Sequence, residues 1–514
     1  MPPTRRNQLL LLAILLAIGY HLWAVGIIPS FPTDDDGAYA AAGYQIWQTG
    51  RPGVSGYQTV AGMGKDIFVL GHIGAAAQGI FMALFGVGVR TAIMPSVLVG
   101  IGGLWMVFLL GRRLWDERTA LMAVLLLSLS GIFFSAAHSA RPDLLVTLFL
   151  LVALWLTAGA PEGRPGWRLA VAGLVMGLSG DVHPNGFLLA PVPLVFWILR
   201  SRPRWPALWR AVLFYGMGGA IGIVYWLARH YLPYAEEFRR QSSLHGLATH
   251  GVKILDRGVI GAFGAELQRY LNWFWRARAH RHFYEGLCVA ASGILLLWRG
   301  DRTDRALVGA WVMLFVIAAV FMSNEFGWYL IFAWPFFALF IARAMEHLKP
   351  RWIGQAVVSI LILAYLVNHG LWFWKARQDT PLQARITQLR QIVPAEAPVL
   401  ASAGLWFAFW DRDFTHEPYL PFRVLESRMY PETGPTGWEI EQRKLGWRYV
   451  VAYGNLRRAL DPAFPIEQML AVEPWISRAD EVREAREYSL RHLSVLTRLE
   501  SPEDTITIFR VNQQ

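Results

Sequence analysis

The chain has 514 residues, of which 54% are hydrophobic and 17% charged, with 24 Trp and a formal net charge of +11. Apolar runs of about 20 residues recur along it, which is typical of repeated membrane spans and excludes an ordinary soluble domain. The single cysteine, Cys288, excludes a disulfide framework and a thiolate metal site. Much of the positive charge lies in short Arg-rich loops between apolar runs, where it sets membrane orientation rather than indicating nucleic-acid binding.

The first apolar run, residues 9–28, follows Arg5 and Arg6. It is long for a secretory signal and no small-residue cleavage site follows it, so we predict a retained span with a cytoplasmic N-terminus. The stretch Thr33-Asp34-Asp35-Asp36-Gly37 then lies outside the cytoplasm. Carboxylates this close favour a shared proton or a bound cation. The alternative is an acidic cap on a helix N-terminus, and the stretch by itself favours neither.

The acidic stretch is followed by a predicted interfacial helix at 38–49, a Gly-rich loop at 50–64 and the pair Lys65-Asp66. Residues 67–86 are apolar and long enough to cross a membrane, yet polar side chains interrupt them. If they lie flat on the outer surface, later spans are expected near 92–110, 119–137, 143–158, 168–181, 186–199, 210–228, 284–298, 305–322, 327–345 and 352–372.

Loop charge decides between the flat and the crossing arrangement. With 67–86 flat, the loops facing the cytoplasm carry most of the basic residues and the short outer loops carry almost none. If 67–86 crossed the membrane, every later loop would lie on the opposite side and the basic loops would face outward. We therefore predict about eleven spans, with these cytoplasmic basic residues: Arg112, Arg113, Arg118, Arg164, Arg168, Arg200, Arg202, Arg204, Arg210, Arg299, Arg302, Arg305, Arg343, Lys349 and Arg351.

Polar residues converge on the outer face under this arrangement. They are the acidic stretch, 138–143, 180–186, the long loop 229–283 and 324–329. Residues 375–514 carry more charge and shorter apolar runs. Strand-like pieces at 398–403, 447–454 and 505–511 alternate there with helix-like pieces at 381–392 and 478–491, which predicts a small α/β domain outside the membrane. No catalytic motif is recognised in it.

The predicted fold is accordingly an α-helical polytopic membrane protein with a C-terminal α/β extracytoplasmic domain. Residues 1–374 form the transmembrane domain, with an outer loop at 29–91 and a long outer loop at 229–283, and residues 375–514 form the second domain. No nucleotide-binding glycine motif is present. Gly218 and Gly222 are more typical of a close helix contact than of a phosphate cradle.

An enzyme with an outer active site needs a donor that arrives through the membrane, for which a lipid phosphate is the obvious carrier. Such a site needs cations for the phosphate and a carboxylate to accept a proton from the acceptor, and it can use a divalent metal. All of these residue types occur in the outer loops.

The pattern Asp35-Asp36-Gly37-Ala38-Tyr39-Ala40 after a first span resembles the first-loop acidic motif of the GT-C glycosyltransferases. Within that class the sequence is most similar to the protein O-mannosyltransferase and aminoarabinose (lipid A) transferase group. The resemblance includes Lys65 at the entry of an interfacial segment, an Arg-rich turn and span leading to Asp143, and Tyr329 before a Pro-containing span. It covers roughly residues 1–372.

The resemblance implies transfer of a sugar from a polyprenyl-phosphate donor to an acceptor hydroxyl, outside the cytoplasm and with inversion. Asp35 would be the general base, Asp36 would assist it or bind metal, and Asp143 would orient the acceptor or a cation. Lys65 and Tyr329 would hold the donor phosphate. Three departures leave the choice among Asp34, Asp35 and Asp36 open: Gly64 replaces the usual Glu, Asp66 replaces the usual Pro, and Pro142 precedes its acid rather than following it.

Further donor-phosphate candidates are Arg240 and Lys253, because the loop containing them lies where relatives place donor-binding cations. A solvated basic loop is the equal alternative. The predicted cofactor is a divalent metal ion. Its candidate ligands are Asp34, His183 and His245. His183 is more typically an interfacial hydrogen-bonding residue, with Asp181 as its companion if it does bind metal.

The sequence therefore predicts a GT-C glycosyltransferase of a bacterial inner membrane. Its partners are a polyprenyl-phosphate-linked sugar donor, membrane lipid, and a lipid, glycan or protein acceptor. The rival is a transporter or flippase for an isoprenoid-linked substrate. Transporters place ionisable residues near the bilayer midplane, whereas these carboxylates lie at span ends on one face, which favours the enzyme. A lipid-binding assembly partner with an inactive site is the third possibility.

Overall fold

The computed structural model describes residues 3–27, 33–57, 60–67, 71–161, 166–248, 253–276, 283–322, 327–378, 382–416, 423, 426–428, 433, 436–462, 464–465, 479–500 and 505–512. These residues are mostly helical, with one small mixed sheet near the C-terminus. They form two compact units. The first comprises 1–26, 93–233 and 251–373, and the second comprises 27–92, 234–250 and 374–514.

The first unit is an all-helical bundle of apolar helices. Its helices are α1 (Pro3–Ala24), α4 (Val89–Leu114), α5 (Glu117–Leu129), α6 (Gly131–Ala137), α7 (Asp143–Ala158), α8 (Trp167–Ser179), α9 (Asn185–Leu189), α10 (Pro191–Ser201), α11 (Trp205–Trp226), α13 (Lys253–Leu271), α14 (Phe283–Arg299), α15 (Arg302–Phe321), α16 (Trp334–His347) and α17 (Arg351–Gln378). Of these, α4 begins before the limits of the unit and α17 ends after them.

Each of the eleven predicted spans overlaps one of these helices or a consecutive pair. In the described part of the chain, four helices are by themselves long and apolar enough to cross a membrane, in α4, α11, α15 and α17. A fifth span results if α5 and α6 count as one helix bent by 68°. The remaining apolar helices are shorter than the 20 or so residues that span a bilayer unaided. The chain is a multi-pass membrane protein.

Two glycine pairs let α8 and α11 pack with their backbones almost in contact. A Cβ added to Gly218 would lie 1.8 Å from the carbonyl oxygen of Ala170, and one added to Gly222 would lie 2.5 Å from the carbonyl carbon of Gly177. Small residues four apart permit this approach between apolar helices. The prediction that Gly218 and Gly222 form a close helix contact is confirmed. The opposite face of α11 exposes large side chains suited to lipid, among them Leu213, Met217, Ile221 and Val224.

The second unit contains the sheet. Its strands are β1 (Val399–Ala401), β2 (Phe414–His416), β3 (Tyr449–Ala452), β4 (Leu493–Leu499) and β5 (Ile506–Val511), in the order β2-β1-β3-β5-β4. The β2–β1 and β1–β3 pairs are parallel, whereas β3–β5 and β5–β4 are antiparallel. β1 is buried along its whole length, as expected for a central strand covered on both faces. The small mixed sheet confirms the predicted strand-bearing C-terminal segment.

Helices of the second unit come from three separate parts of the chain. From the first outer loop come α2 (Asp34–Thr49) and α3 (His72–Phe85), and from the long outer loop comes α12 (Ala235–Ala248). The C-terminal segment supplies α18 (Leu382–Ile392), α19 (Trp406–Phe409), α20 (Trp438–Leu445), α21 (Gly454–Leu460) and α22 (Ala479–His492). α3 has 14 residues, about 21 Å of helix, which is shorter than a bilayer core. The flat orientation of 67–86 stays a prediction, because α8, α10 and α16 are equally short and lie in predicted spans.

Candidate functional site

The acidic stretch forms the first turn of α2, and its carboxylates have different surroundings. Thr33 is the N-cap: its hydroxyl accepts from the Asp36 backbone N–H at 3.3 Å. Asp36 Oδ2 accepts in return from the Thr33 backbone N–H at 2.9 Å and from its hydroxyl at 2.8 Å, a reciprocal capping box. Asp36 is buried, whereas Asp35 is exposed. The capping role thus belongs to Asp36, and the Asp34 side chain lies outside the described residues.

Gly37, which follows the acidic stretch, holds α2 against the C-terminal segment. A Cβ at this position would lie 1.8 Å from the carbonyl oxygen of Ala403, closer than atoms can approach. Only glycine allows the backbone of α2 to lie there. The first turn of α2, with its carboxylates, is therefore fixed relative to the residues that follow β1.

A cavity of about 420 Å³ lies within the second unit. Three cations line it: Lys65 and Arg240, which were predicted to bind the donor phosphate, and Arg51. Carboxylates from three segments of the chain line it as well. The Lys65 side chain is exposed, and the described residues provide no hydrogen bond or ion pair for its ammonium group. The other polar lining residues are Asp66, Tyr234, Glu236, Glu237 and Glu426.

The two arginines of the cavity are held by neighbours. Arg240 donates to Glu236 at 2.8 Å, one turn away on α12. The Arg51 guanidinium lies 4.9 Å from the centre of the Tyr234 ring, which is cation–π geometry. Both contacts orient a positive group toward the cavity without burying it fully. Lys65 and Arg240 thus line one cavity together with four carboxylates, Asp66, Glu236, Glu237 and Glu426.

The turn that carries Lys65 is clamped by α12. Ala61 has φ of +43°, a left-handed conformation that costs about 1 kcal/mol for a residue with a Cβ. Gln241 holds this turn: its side-chain amide donates to the carbonyl oxygens of Ala61 at 3.1 Å and Asp66 at 2.7 Å. The Lys65 backbone is thereby fixed beside Arg240.

Glu426 brings the C-terminal segment into the cavity. It accepts a hydrogen bond from the Ala61 backbone N–H at 2.9 Å and pairs with Arg423 at 3.1 Å. The sequence of this segment contains no recognised motif, and neither Glu426 nor Gln241 was among the predicted site residues. Neither belongs to a motif, so no signal within the sequence separates them from surface residues.

In the first unit, Arg141 and Asp143 form a buried ion pair beside Tyr329. Arg141 Nε donates to Asp143 Oδ2 at 2.7 Å, and both side chains are buried. The guanidinium lies 5.9 Å from the centre of the Tyr329 ring. Asp143 Oδ1 is buried and accepts no hydrogen bond from the described residues. One carboxylate oxygen of Asp143 is thus available to a ligand.

His183 lies beside Tyr329, whereas Asp181, the residue predicted to accompany it, is paired elsewhere. The His183 and Tyr329 rings are 6.1 Å apart, and His183 Nδ1 accepts from the Asn185 backbone N–H at 3.2 Å. Asp181 instead forms a fully buried pair with His230, which no local pattern indicates because 49 residues separate the two. The side chains of His245 and Lys253 lie outside the described residues.

The comparison with protein families identifies residues 72–229. They match the model of the dolichyl-phosphate-mannose-protein mannosyltransferases. A putative mannosyltransferase of Bacillus subtilis, YkcB, is 27% identical over 126 residues. That match covers 24% of this chain and 18% of the relative, so the two proteins are comparable over a small part of their length.

Solved structures match over nearly the whole chain. ArnT from Cupriavidus metallidurans bound to undecaprenyl phosphate has a TM-score of 0.63 at 14% identity, covering 98% of each chain. The Archaeoglobus fulgidus oligosaccharyltransferase in complex with Zn and sulfate has a TM-score of 0.52 at 14% identity, covering 98% of this chain and 73% of the other. At such identities the similarity concerns the fold.

The predicted resemblance is therefore confirmed: the chain has a GT-C fold similar to that of ArnT, and residues 72–229 match the protein mannosyltransferase family.

Proposed function

We propose that this protein is an inverting glycosyltransferase that moves a sugar from a polyprenyl-phosphate donor to an acceptor hydroxyl. The observation that carries the proposal is the cavity lined by both Lys65 and Arg240. These residues lie on segments about 175 positions apart and were each expected to bind the donor phosphate. A phosphate oxygen needs such cationic donors, and charge-assisted hydrogen bonds are the stronger kind. ArnT, which has a similar fold, was solved with undecaprenyl phosphate bound.

In this proposal Asp35 is the general base. Its carboxylate is exposed at the first turn of α2, whereas Asp36 is occupied by the capping box with Thr33. An exposed side chain is accessible to an acceptor hydroxyl. Asp36 assists by fixing the turn that carries Asp35. Asp34 is the remaining candidate of the three.

Asp143 and Tyr329 contribute from the first unit. Arg141 engages one oxygen of Asp143, which leaves Oδ1 to orient the acceptor or a cation. The Tyr329 hydroxyl donates to the donor phosphate, and Arg141 beside it adds positive charge. Lys253 is proposed as a further phosphate-binding cation.

The reaction is a single displacement. Asp35 takes the proton of the acceptor hydroxyl while the acceptor oxygen attacks the anomeric carbon, and the bond from that carbon to the phosphate oxygen breaks on the opposite side. The sugar is transferred with inversion, and polyprenyl phosphate leaves with both bonding electrons. Lys65 and Arg240 stabilise the charge that develops on the leaving phosphate. General-base assistance of this kind is worth about 10²–10⁴ in rate.

A divalent metal is proposed to assist the reaction, and no step of the mechanism depends on it. His183, Asp34 and His245 are its candidate ligands, and zinc is present in a solved oligosaccharyltransferase of similar fold. His183 Nδ1 accepts a hydrogen bond from the Asn185 backbone N–H. A metal would neutralise the donor phosphate, and loss of activity on chelation would assign it that role.

The proposed location is the extracytoplasmic side of a bacterial inner membrane. The N-terminus is then cytoplasmic, and residues 375–514 lie outside with the cavity. This arrangement places the donor sugar on the side that a nucleotide does not reach. The acceptor is a lipid, a glycan or a protein, and mass spectrometry of lipids that co-purify with the protein identifies the donor's sugar and tail.

The test is sugar transfer from a polyprenyl-phosphate donor in reconstituted vesicles. We expect Asp35→Asn to lower the rate of transfer by about 10²–10⁴. The control is Glu117→Gln, which removes another exposed carboxylate from the first turn of a helix and should leave the rate unchanged. Near-normal transfer by Asp35→Asn would remove Asp35 from the role of base.

A further inference from the structure

A second cavity, of about 530 Å³, lies within the first unit where α10 ends and α15 begins. Three arginines line it: Arg202 from the turn after α10, and Arg302 and Arg305 from the first turn of α15. Asp301 also lines it, and the apolar part of its wall includes Leu199 and Leu208. Neither the predicted motifs nor the proposed reaction uses any of these residues.

The cavity lies far from Asp143, at the other end of the bundle. α7 begins at Asp143 and ends at Ala158, and its 16 residues make a helix about 24 Å long. The Arg200 side chain, two residues before Arg202, donates to the Ala158 carbonyl oxygen at 2.5 Å. The turn after α10 therefore adjoins the far end of α7. By the loop-charge prediction this is the cytoplasmic end.

The carboxylates near the three arginines bind other groups. Asp301 and Asp304 form the capping box of α15, and both also pair with Arg343, at 3.3 and 3.1 Å. Within the described residues, no ion pair or side-chain hydrogen bond involves Arg202, Arg302 or Arg305. Arg302 and Arg305 are three positions apart, so both lie on one side of the helix.

Other arginines at this end serve the fold. The side chains of Arg113, Arg168 and Arg200 donate to carbonyl oxygens in the last turn of α7 and just after it. Arg202 has no such role, yet its backbone is held at φ of +45°, an uncommon conformation for a residue with a Cβ. The fold thus positions Arg202 beside the cavity although the side chain stabilises none of the described backbone.

The surroundings indicate an occupant with an apolar part. Leu199, in the cavity wall, is 42% exposed, and Trp205 and Trp209 at the start of α11 are exposed with ring centres 5.4 Å apart. Exposed Trp residues at a helix end are typical of the head-group level of a bilayer. Basic pockets between spanning helices at that level bind anionic lipid head groups.

We propose that this cavity binds an anionic phospholipid, with the head-group phosphate between Arg202, Arg302 and Arg305 and an acyl chain against Leu199 and Leu208. The three arginines outnumber the one lining carboxylate, Asp301, which pairs with Arg343, and this excess of positive charge favours a lipid of net negative charge over a zwitterionic one. The apolar wall favours a lipid over a free anion, because a free phosphate gains nothing from Leu199 or Leu208. This inference is independent of the proposed reaction.

The test compares two triple variants of the full chain. The first is Arg202→Gln/Arg302→Gln/Arg305→Gln. The matched control is Arg204→Gln/Arg210→Gln/Arg299→Gln, which removes the same charge from exposed side chains near the same end that do not line the cavity. Native mass spectrometry in neutral detergent measures binding of palmitoyl-oleoyl phosphatidylglycerol and of the phosphatidylcholine with the same chains.

We expect the unmodified protein and the control to prefer phosphatidylglycerol by at least about tenfold, and the cavity variant to lose that preference. Equal losses in both variants, or no loss in either, would overturn the proposal. It also fails if inorganic phosphate displaces the lipid as effectively as a short-chain phosphatidylglycerol does, since the site would then accept a free anion.

A single change covers the case in which the triple variant does not fold. Arg302→Glu reverses one charge of the cavity at an exposed helix N-terminus, where an acidic residue stabilises the helix. Arg204→Glu, just before α11, is its control. We expect only Arg302→Glu to weaken phosphatidylglycerol binding, and unchanged binding would contradict the proposal.

Discussion

The backbone at Gly37 approaches Ala403 so closely that a Cβ on Gly37 would lie 1.8 Å from the Ala403 carbonyl oxygen. This contact joins the turn that carries Asp35 and Asp36 to the segment following β1. We expect Gly37→Ala to separate the two and to lower both transfer activity and thermal stability. Gly216→Ala is the control, because a Cβ there meets no atom within 4 Å. Normal melting and activity of Gly37→Ala would show that the contact is dispensable.

Lys65 and Arg240 should act on donor binding more than on the acceptor. We expect Lys65→Gln and Arg240→Gln each to raise the KM for the polyprenyl-phosphate donor, by about tenfold or more, because a charged partner of the phosphate is lost. The KM for the acceptor should change little. Steady-state kinetics with each substrate varied in turn makes this comparison.

The control for both variants is Arg239→Gln, which removes an exposed cation from the same helix without lining the cavity. An equal rise in the donor KM for Arg239→Gln would show that the donor is attracted to a basic surface in general and not to the cavity. In that case the solvated-loop alternative for 229–283 would be preferred.

The buried Arg141–Asp143 pair should respond asymmetrically to mutation. Arg141→Met leaves a buried carboxylate without its partner, which costs about 3–5 kcal/mol of stability. Arg141→Met/Asp143→Leu removes both charges and should recover much of that stability while remaining inactive. Thermal unfolding and transfer assays of the two variants separate structure from function. Recovery of activity in the double variant would exclude Asp143 from acceptor binding.

The predicted orientation can be tested by impermeant thiol labelling. In a Cys288→Ser background, Ser55→Cys should label from outside intact cells, because residue 55 belongs to the predicted outer loop. Arg202→Cys should label only after the membrane is opened. Labelling of Arg202→Cys in intact cells would invert the orientation and place the arginine cavity outside.

His416 should make the second unit sensitive to acid. Its ring is fully buried and lies parallel to Tyr57 at 5.3 Å, and burial lowers its pKa to about 3. The unfolded chain, with a pKa near 6.5, takes up the proton first, so stability is complete above about pH 6.5 and falls as the pH drops toward 3. His416→Phe should flatten the loss of stability between about pH 6.5 and 5. An unchanged slope would mean that His416 is protonated when folded.

The sequence predicted the helices well because long apolar runs are a strong local signal. All eleven expected spans overlap helices, and the strand-like pieces at 398–403, 447–454 and 505–511 became β1, β3 and β5. β2 was missed because two of its three residues, Thr415 and His416, are polar, and β4 because its side chains are largely exposed and carry no strict alternation. Short or solvent-facing strands are specified by their partners more than by their own pattern.

The candidate site was predicted unevenly for a related reason. Lys65 and Asp143 lie in recognisable motifs, whereas Gln241 and Glu426 acquire a role only through contacts that span more than 170 positions. The pair of Asp181 with His230 likewise replaces the local Asp181–His183 pairing that the sequence suggested. Motifs indicate which chemistry is present, and tertiary contacts decide which side chains support it.

The second unit is assembled from 27–92, 234–250 and 374–514, and this order has a consequence for biosynthesis. The earliest of these segments emerges from the ribosome roughly 300 residues before its last partner does. During that interval the Lys65 turn lacks Glu426, and Gly37 has no Ala403 beside it. Closure of the cavity is therefore a late event in the synthesis of the chain, and a nascent chain that has not reached Glu426 cannot present the completed cavity.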